Sequence, residues 1–191
     1  NGGTFTTGTG EVSFNGASAQ TIGGTVATTF NGLKINNATG VSLNQDVTVN
    51  GTLALQSGDL NTGASILDLA SGATVTSSGG DVVGSVRRNH AFGTGSNYAF
   101  NNPNTLLNFS SISTSGTPSV TINLTKSAPP PSEIAKAVSR VYSISSSNIT
   151  SFTANLQLRY KDEELQTGMV EANLRAWRKQ GRPLRWTLQP S

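Results

Sequence analysis

The chain has 191 residues, of which 35% are hydrophobic and only 12% are charged, and its formal net charge is +3. It contains no cysteine, which excludes a disulfide framework, thiolate metal sites and thiol catalysis. Since no run of 18 apolar residues occurs, no membrane insertion is predicted. Valine, isoleucine and threonine are frequent and alternate with polar residues, which favours an ordered all-β chain over a disordered one.

Residues 1–86 repeat short apolar-polar-apolar triplets that are separated by Gly, Asn and Ser corners. The clearest triplets are Val12–Phe14, Leu33–Ile35, Val41–Leu43, Val47–Val49 and Leu53–Leu55, and Ile66–Leu69 and Thr74–Thr76 continue the series. Strands this short bury little surface alone, but stacked coils bury a continuous core. The pattern therefore predicts a short β-solenoid, of the parallel β-helix type, over residues 1–86. Asn-Gly pairs at 15–16, 31–32 and 50–51 leave a hairpin meander as the alternative.

The N-terminal segment Thr4–Phe14 alternates like a strand, and nothing upstream in the given sequence can cover it. Such a leading strand can gain backbone hydrogen bonds by adding to the sheet of a neighbouring copy. Phe5, Val12 and Phe14 are therefore candidate subunit-contact residues. The alternative is that residues 1–10 form a flexible tail or the stub of a longer solenoid.

Residues 87–191 have longer strand candidates joined by Gly, Pro and Ser turns, which predicts an Ig-like β-sandwich. The candidates are Leu106–Phe109, Ser119–Leu124, Ala137–Ile144, Phe152–Tyr160, Val170–Arg178 and Leu184–Leu188. Within Phe152–Tyr160, the even-numbered residues are apolar and are expected to form one buried face. Glu133–Val138 is the only predicted helical segment. It is expected to form a single turn, because it is too short for a stable helix.

The charges are unevenly distributed, with a net charge of −4 over residues 1–86 and +7 over residues 87–191. A basic half can bind nucleic acid or an anionic polysaccharide, can face the acidic half of a neighbouring copy, or can simply be solvated. We expect no nucleic-acid partner, and we expect the opposed charges to suit head-to-tail stacking of copies.

No catalytic or cofactor-binding constellation is found, so the chain is not predicted to be an enzyme. His90 is the only histidine and is expected on a surface loop, which leaves no pair of histidines for a metal. Asp162, Glu163 and Glu164 could ligate calcium, but the alternating Asp/Asn pattern with a fixed glycine is missing. A solvated turn without metal is predicted there instead.

Exposed aromatic side chains can stack on sugars, and Trp177 and Tyr98 are the candidates for this alternative function, a carbohydrate-binding module of a secreted protein. In the other interpretation Trp177 covers a sheet edge and Trp186 fills the core.

Two parts of the chain resemble a known class of protein. The segments Gly10–Gly16, Phe30–Asn37 and Val47–Leu55 resemble β-solenoid repeats of large secreted surface proteins, adhesin-like, of Bacteroidetes and related bacteria. Gly84–Arg88 and Leu156–Tyr160 resemble the β-sandwich module that commonly follows those repeats. The resemblance implies an extracellular or cell-surface location and a role in adhesion or a surface layer. Because the chain begins with Asn1, we expect a processed mature chain or a segment of a longer one.

Together these observations predict a structural, self-assembling surface protein, either a filament subunit or a segment of an adhesin or stalk. An open solenoid end exposes unpaired strand edges, and pairing with another copy removes that liability. The expected partner is therefore a second copy of the chain in a head-to-tail filament, with surface polysaccharide as a further candidate partner. No cofactor is predicted.

Overall fold

A computed structural model describes residues 5–126, 137–174, 177–180 and 185–188, the last two ranges as backbone only. More than half of the described residues lie in β-strands and none lies in an α-helix, which confirms the all-β class. The chain divides into two compact units. The first comprises Asn1–Lys126 and Val141–Arg159, and the second comprises Ser127–Arg140 and Tyr160–Ser191.

The first unit begins with strands stacked in parallel rungs. One face, here called the first face, consists of β1 (Glu11–Phe14), β4 (Gly32–Asn36), β7 (Thr52–Ser57) and β9 (Thr74–Ser77), in that order. Along it Val12 lies beside Leu33, Leu33 beside Leu53, and Leu53 beside Val75, so successive rungs are 21, 20 and 22 residues apart. This regular step is the signature of a solenoid.

Two further faces complete each rung. Their strands are β2 (Gln20–Ile22), β3 (Thr28–Phe30), β5 (Val41–Leu43), β6 (Val47–Val49), β8 (Leu60–Leu69) and β10 (Val82–Asn89). β8 and β10 each turn a corner and contribute to both faces, so β5 pairs with the start of β8 and β6 pairs with its end, always in parallel. The parallel stacking confirms the predicted β-solenoid and excludes the hairpin meander.

The triplets build this stack because alternate side chains of a strand point to opposite sides. Leu33, Ile35 and Leu53 are fully buried, whereas Lys34 between the first two is partly exposed. Full burial of one such aliphatic side chain contributes about 1.5–3 kcal/mol. Each rung repeats the same inward positions, so the buried columns run through the whole stack.

One corner shows why glycine is needed. Gly58 has a φ of 71°, and a Cβ built on it would lie 1.9 Å from the carbonyl oxygen of Asn37 in the rung before. Asn37 is itself buried and donates its side-chain amide to the carbonyl of Ser18, one rung further back. Neighbouring rungs therefore meet at this corner without room for a side chain.

The parallel stacking ends at β10, where the chain reverses and the next strand in the sheet pairs antiparallel. β12 (Leu106–Lys126) lies antiparallel to β10, with Gly84 beside Leu124 and Asn89 beside Ser119. β11 (Asn97–Ala99) pairs antiparallel with the start of β12, and β13 (Arg140–Gln157) also pairs with β12. The predicted strands Leu106–Phe109 and Ser119–Leu124 are therefore one continuous strand. Likewise, β13 includes most of the two predicted strands Ala137–Ile144 and Phe152–Tyr160.

The expected buried face of Phe152–Tyr160 is wrong. Phe152 is 58% exposed, Leu156 43% and Leu158 37%, although the Phe152 ring contacts Phe109 and Ala154 packs partly against the core. The predicted boundary between residues 86 and 87 falls inside β10, and the Ig-like β-sandwich over 87–191 stays a prediction.

The described residues of the second unit contain two short turns and one pair of strands. Asp162–Glu164 and Glu171–Asn173 are single 3₁₀ turns, and β14 (Trp177–Gln180) pairs antiparallel with β15 (Arg185–Leu188). The strand predicted from Val170 is wrong at its start, since Glu171–Asn173 is a turn there. The predicted helical turn at Glu133–Val138 lies mostly outside the described residues.

Candidate functional site

The N-terminal rung, formed by β1, β2 and β3, has one open side. Within the described ranges, β1 pairs only with β4, β2 only with β5, and β3 only with β6. The carbonyl of Gly10 accepts a hydrogen bond from the amide of Gly32, so Gly10 and Val12 direct their backbone groups toward β4. Glu11 and Ser13 consequently direct theirs away from the stack, where another strand could bind.

Phe5, Val12 and Phe14 all lie at this open end. The Phe5 ring is 41% exposed, and its centroid lies 5.3 Å from that of the buried Phe30, while Phe14 meets Phe30 edge-on at 6.5 Å. Val12 and Phe14 are half-buried. The strand predicted over Thr4–Phe14 is shorter than expected, because only Glu11–Phe14 is a strand and Phe5 folds over the end of the core instead.

The first face is also open at its other edge. β9 pairs with β7 and with no further strand in the described part of the chain. Thr74 donates its amide to the Gly51 carbonyl, so Ala73 and Val75 direct their backbone groups outward. The Ala73 carbonyl accepts a hydrogen bond from Arg88 at 2.8 Å, which leaves the backbone at Val75 as the start of the open edge.

Arg88 is a buried cation that ties the last rung together. Besides Ala73, its guanidinium donates to the carbonyls of Ala70 and Ala99 at 3.0 and 2.9 Å, and only 2% of the residue is exposed. It also lies 5.9 Å from the ring centroids of both Tyr98 and Phe100. Burial lowers the pKa of Arg88 to about 10.

Tyr98 belongs to an aromatic cluster next to Arg88. Its ring meets Phe92 edge-on at 4.9 Å and lies 5.6 Å from the His90 ring, and its hydroxyl accepts a hydrogen bond from the Gly93 amide. Tyr98 and His90 are half-buried, so His90 is packed against rings rather than free on a loop. The side chain of Trp177 lies outside the described residues, and the sugar-stacking pair stays a prediction.

A charge cluster that the sequence analysis missed joins the ends of distant strands. The Asp81 carboxylate has no exposed surface and lies 3.0 Å from Nζ of Lys126 and 3.0 Å from Nη1 of Arg159. Lys126 also lies 2.7 Å from Asp59, and the amide of Asn102 donates to Asp81. Asp59 and Asp81 are 22 residues apart, which is one rung, and this spacing was the signal available in the sequence.

The protonation of Lys126 follows from this setting. Burial lowers the pKa of its ammonium. The hydrogen bonds to Asp59 and Asp81 together raise the pKa by more than burial lowers it, so the net pKa lies above its usual value. Each charge of the cluster has an opposite charge within 3.0 Å. The arrangement therefore holds the ends of β12 and β13 against the solenoid as a structural clamp.

Most of the acids in residues 1–86 are paired with bases inside the chain. Arg87 binds Asp68 through two hydrogen bonds of 2.6 and 2.7 Å, which raises the pKa of Arg87. Thus three of the five acids in residues 1–86 pair with bases from residues 87–191. The expected attraction between the halves of neighbouring copies is correspondingly weakened.

The acidic segment Asp162–Glu164 is a turn in which Asp162 and Glu163 are exposed and Glu164 is half-buried. Glu164 accepts hydrogen bonds from the buried Arg140 at 2.6 Å and from the Lys161 amide at 2.8 Å. Among the described residues, no group of three or more His, Cys, Asp or Glu side chains could hold a metal ion. In the same part of the chain, no helix is both long and apolar enough to cross a membrane.

Comparison with protein-family models, with curated proteins and with solved structures finds no match for this chain. The function proposed below therefore depends on the geometry of the strands alone.

Proposed function

We propose that this chain is a structural, self-assembling protein of the cell exterior, in which copies stack head to tail through the first face. The observation that carries the proposal is that this parallel sheet is open at both edges, at β1 and at β9, within the described residues. Unpaired parallel edges of matching direction can continue one sheet from copy to copy.

The rung spacing gives the register of the contact. The column Val12, Leu33, Leu53, Val75 continues when Val12 of the next copy lies beside Val75. In this register the contact uses the outward backbone groups of Val75. The outward carbonyl of Ala73 is not needed for it, because that carbonyl already accepts a hydrogen bond from Arg88. A contact of this kind is heterologous, so it repeats into a filament unless rotation closes it.

The energy of the contact has two sources. About three backbone hydrogen bonds at about 0.5–1.5 kcal/mol each would form along the short strands. Covering the exposed part of Phe5 and the half-buried Val12 and Phe14 adds about 1 kcal/mol for each side chain. The sum suffices for association at high local concentration, as on a cell surface.

The experiment replaces Ser13 by proline. Ser13→Pro removes an outward amide and leaves the β1–β4 bonds intact, because proline is tolerated on an edge strand whose amide faces solvent. We expect the unaltered chain to form fibres in negative-stain microscopy and to grow in light scattering, and Ser13→Pro to remain small.

Ser13→Ala is the matched control, since it keeps the amide and is expected to assemble like the unaltered chain. The melting temperatures of all three proteins establish that they are folded. Equal assembly by Ser13→Pro, or a monodisperse unaltered chain at every concentration, would overturn the proposal.

A further inference from the structure

β13 is a long edge strand with none of the usual protection. It has 18 residues, and β12 is its one strand partner in the part of the chain that is described. Between Arg140 and Arg159 there is no charged residue, no proline and no glycine. Natural edge strands commonly carry such residues because a bare edge pairs with other chains. The absence of all three from residues 141–158 indicates that this edge is covered in the assembled protein.

Exposed apolar side chains accompany this edge. Phe152 is 58% exposed although its ring touches Phe109 edge-on at 6.0 Å, and Leu156 is 43% exposed. Ala154, between them, packs partly against the core. Alternate residues share a face of a strand, so these three form one apolar row that runs past the edge of the core.

We infer that β13 pairs antiparallel with β13 of a second copy, about a twofold axis at Ala154. In this register Phe152 lies opposite Leu156 of the second copy, and Leu156 opposite its Phe152. The small Ala154 side chains meet at the axis, where bulky ones would collide. On the other face, Thr153 lies opposite Asn155, a polar pair that can form a hydrogen bond.

Two observations favour a second copy as the occupant. Self-pairing of Ser151–Gln157 brings no like charges together, and Arg159 falls opposite Ile149 rather than Arg159. Asn148, inside β13, has a φ of 57°, so the backbone departs from regular extended geometry there and the regular segment available for pairing begins after it. The contact uses the same surface on both copies, so it closes as a dimer and does not propagate.

This surface is independent of the head-to-tail contact, because β13 and β1 lie in different sheets. Both contacts together would produce paired filaments, whereas β13 alone gives dimers. The experiments below therefore use Ser13→Pro as the background, so that filament growth does not obscure the result.

The first test is a disulfide at the axis. The chain has no cysteine, and directly opposite residues of antiparallel strands have Cα atoms about 4.5–5.5 Å apart, within the range that a disulfide spans. Under mild oxidation we expect Ala154→Cys to form a disulfide-linked dimer, which a reductant converts back to separate chains. Ser145→Cys, an exposed position of the same strand outside the paired segment, is the control. Equal cross-linking of the two variants would overturn the inference.

The second test exchanges charges across the axis and is read by sedimentation. Phe152→Lys alone is expected to raise the dimer dissociation constant at least tenfold. The double variant Phe152→Lys with Leu156→Glu is expected to restore it, because the introduced lysine then faces the introduced glutamate of the second copy. Ser145→Lys should leave the constant unchanged. A double variant as weak as the single one, or a Ser13→Pro protein that remains monomeric, would contradict the pairing.

Discussion

The guanidinium of Arg159 lies 3.0 Å from the fully buried carboxylate of Asp81, although 78 residues separate the two in the sequence. With Lys126 on the other carboxylate oxygen, Asp81 fixes the ends of both β12 and β13 to the last corner of the solenoid. The long strands are thus attached to the stack by charge as well as by backbone pairing.

Asp81→Asn is expected to lower the free energy of unfolding by about 3 kcal/mol, because it removes the buried carboxylate that Lys126 and Arg159 share and leaves Lys126 with Asp59 alone. The melting temperature should fall by about 10 °C for a protein of this size. The control is Asp68→Asn, whose carboxylate is 23% exposed and pairs with Arg87, with an expected cost of at most about 1 kcal/mol. Equal losses in the two variants would show that Asp81 is no clamp.

Arg88→Lys is expected to cost about 2–3 kcal/mol in urea unfolding, because lysine keeps the charge but cannot reach three carbonyls in the fixed geometry of a guanidinium. The carbonyls of Ala70, Ala73 and Ala99 would lose their donors. Arg87→Lys, at the neighbouring and more exposed position, is the control and should cost less than about 1 kcal/mol. A larger loss of stability in Arg87→Lys than in Arg88→Lys would contradict the role given to Arg88.

Gly58→Ala is expected to destabilise the solenoid by at least about 2 kcal/mol, since the new Cβ would overlap the Asn37 carbonyl and the positive φ is strained for alanine. Gly72→Ala is the matched control, because no atom lies within 4 Å of its Cβ position and its φ is not in the left-handed region. Thermal unfolding of the two variants compares them directly. Similar melting temperatures would mean that the corner can widen.

Lys126 makes stability sensitive to alkaline pH. Its pKa is higher in the folded chain than the ordinary lysine value of 10.5, so its contribution is complete below about pH 10.5 and is lost as the pH rises through the folded value. We expect the free energy of unfolding of the unaltered chain to fall as the pH rises above about 10.5. The fall should be smaller in Lys126→Met, which has no ammonium to lose its proton. Lys34→Met, at a surface pair with Glu11, should behave like the unaltered chain in a series of melts from pH 9 to pH 12.

The solenoid was predictable because every rung repeats the same local pattern. Leu33 and Ile35 flank Lys34 as Val47 and Val49 flank Thr48, and each apolar member is buried as its spacing requires. Alternation also placed β13 approximately. It failed on burial at Leu156, because a period of two shows which side chains share a face but not whether another layer covers that face.

The charge cluster could be predicted only in part. The one-rung spacing of Asp59 and Asp81 follows from the repeat, whereas Lys126 lies 67 residues from Asp59. No local rule relates residues that far apart, since the partner depends on where β12 returns along β10. For the same reason the packing of Tyr98 with Arg88 was not evident from the spacing of the aromatic residues.

The reversed course of β12 along β10 also bears on how such a chain can change its length in evolution. Duplication of one rung upstream of Val82 adds about 20 residues and keeps each parallel register, as the existing steps of 21, 20 and 22 residues do. The same insertion after Val82 would displace the antiparallel register of Gly84 with Leu124. Longer and shorter relatives are therefore expected to differ by whole multiples of about 20 residues, gained or lost on the N-terminal side of β10.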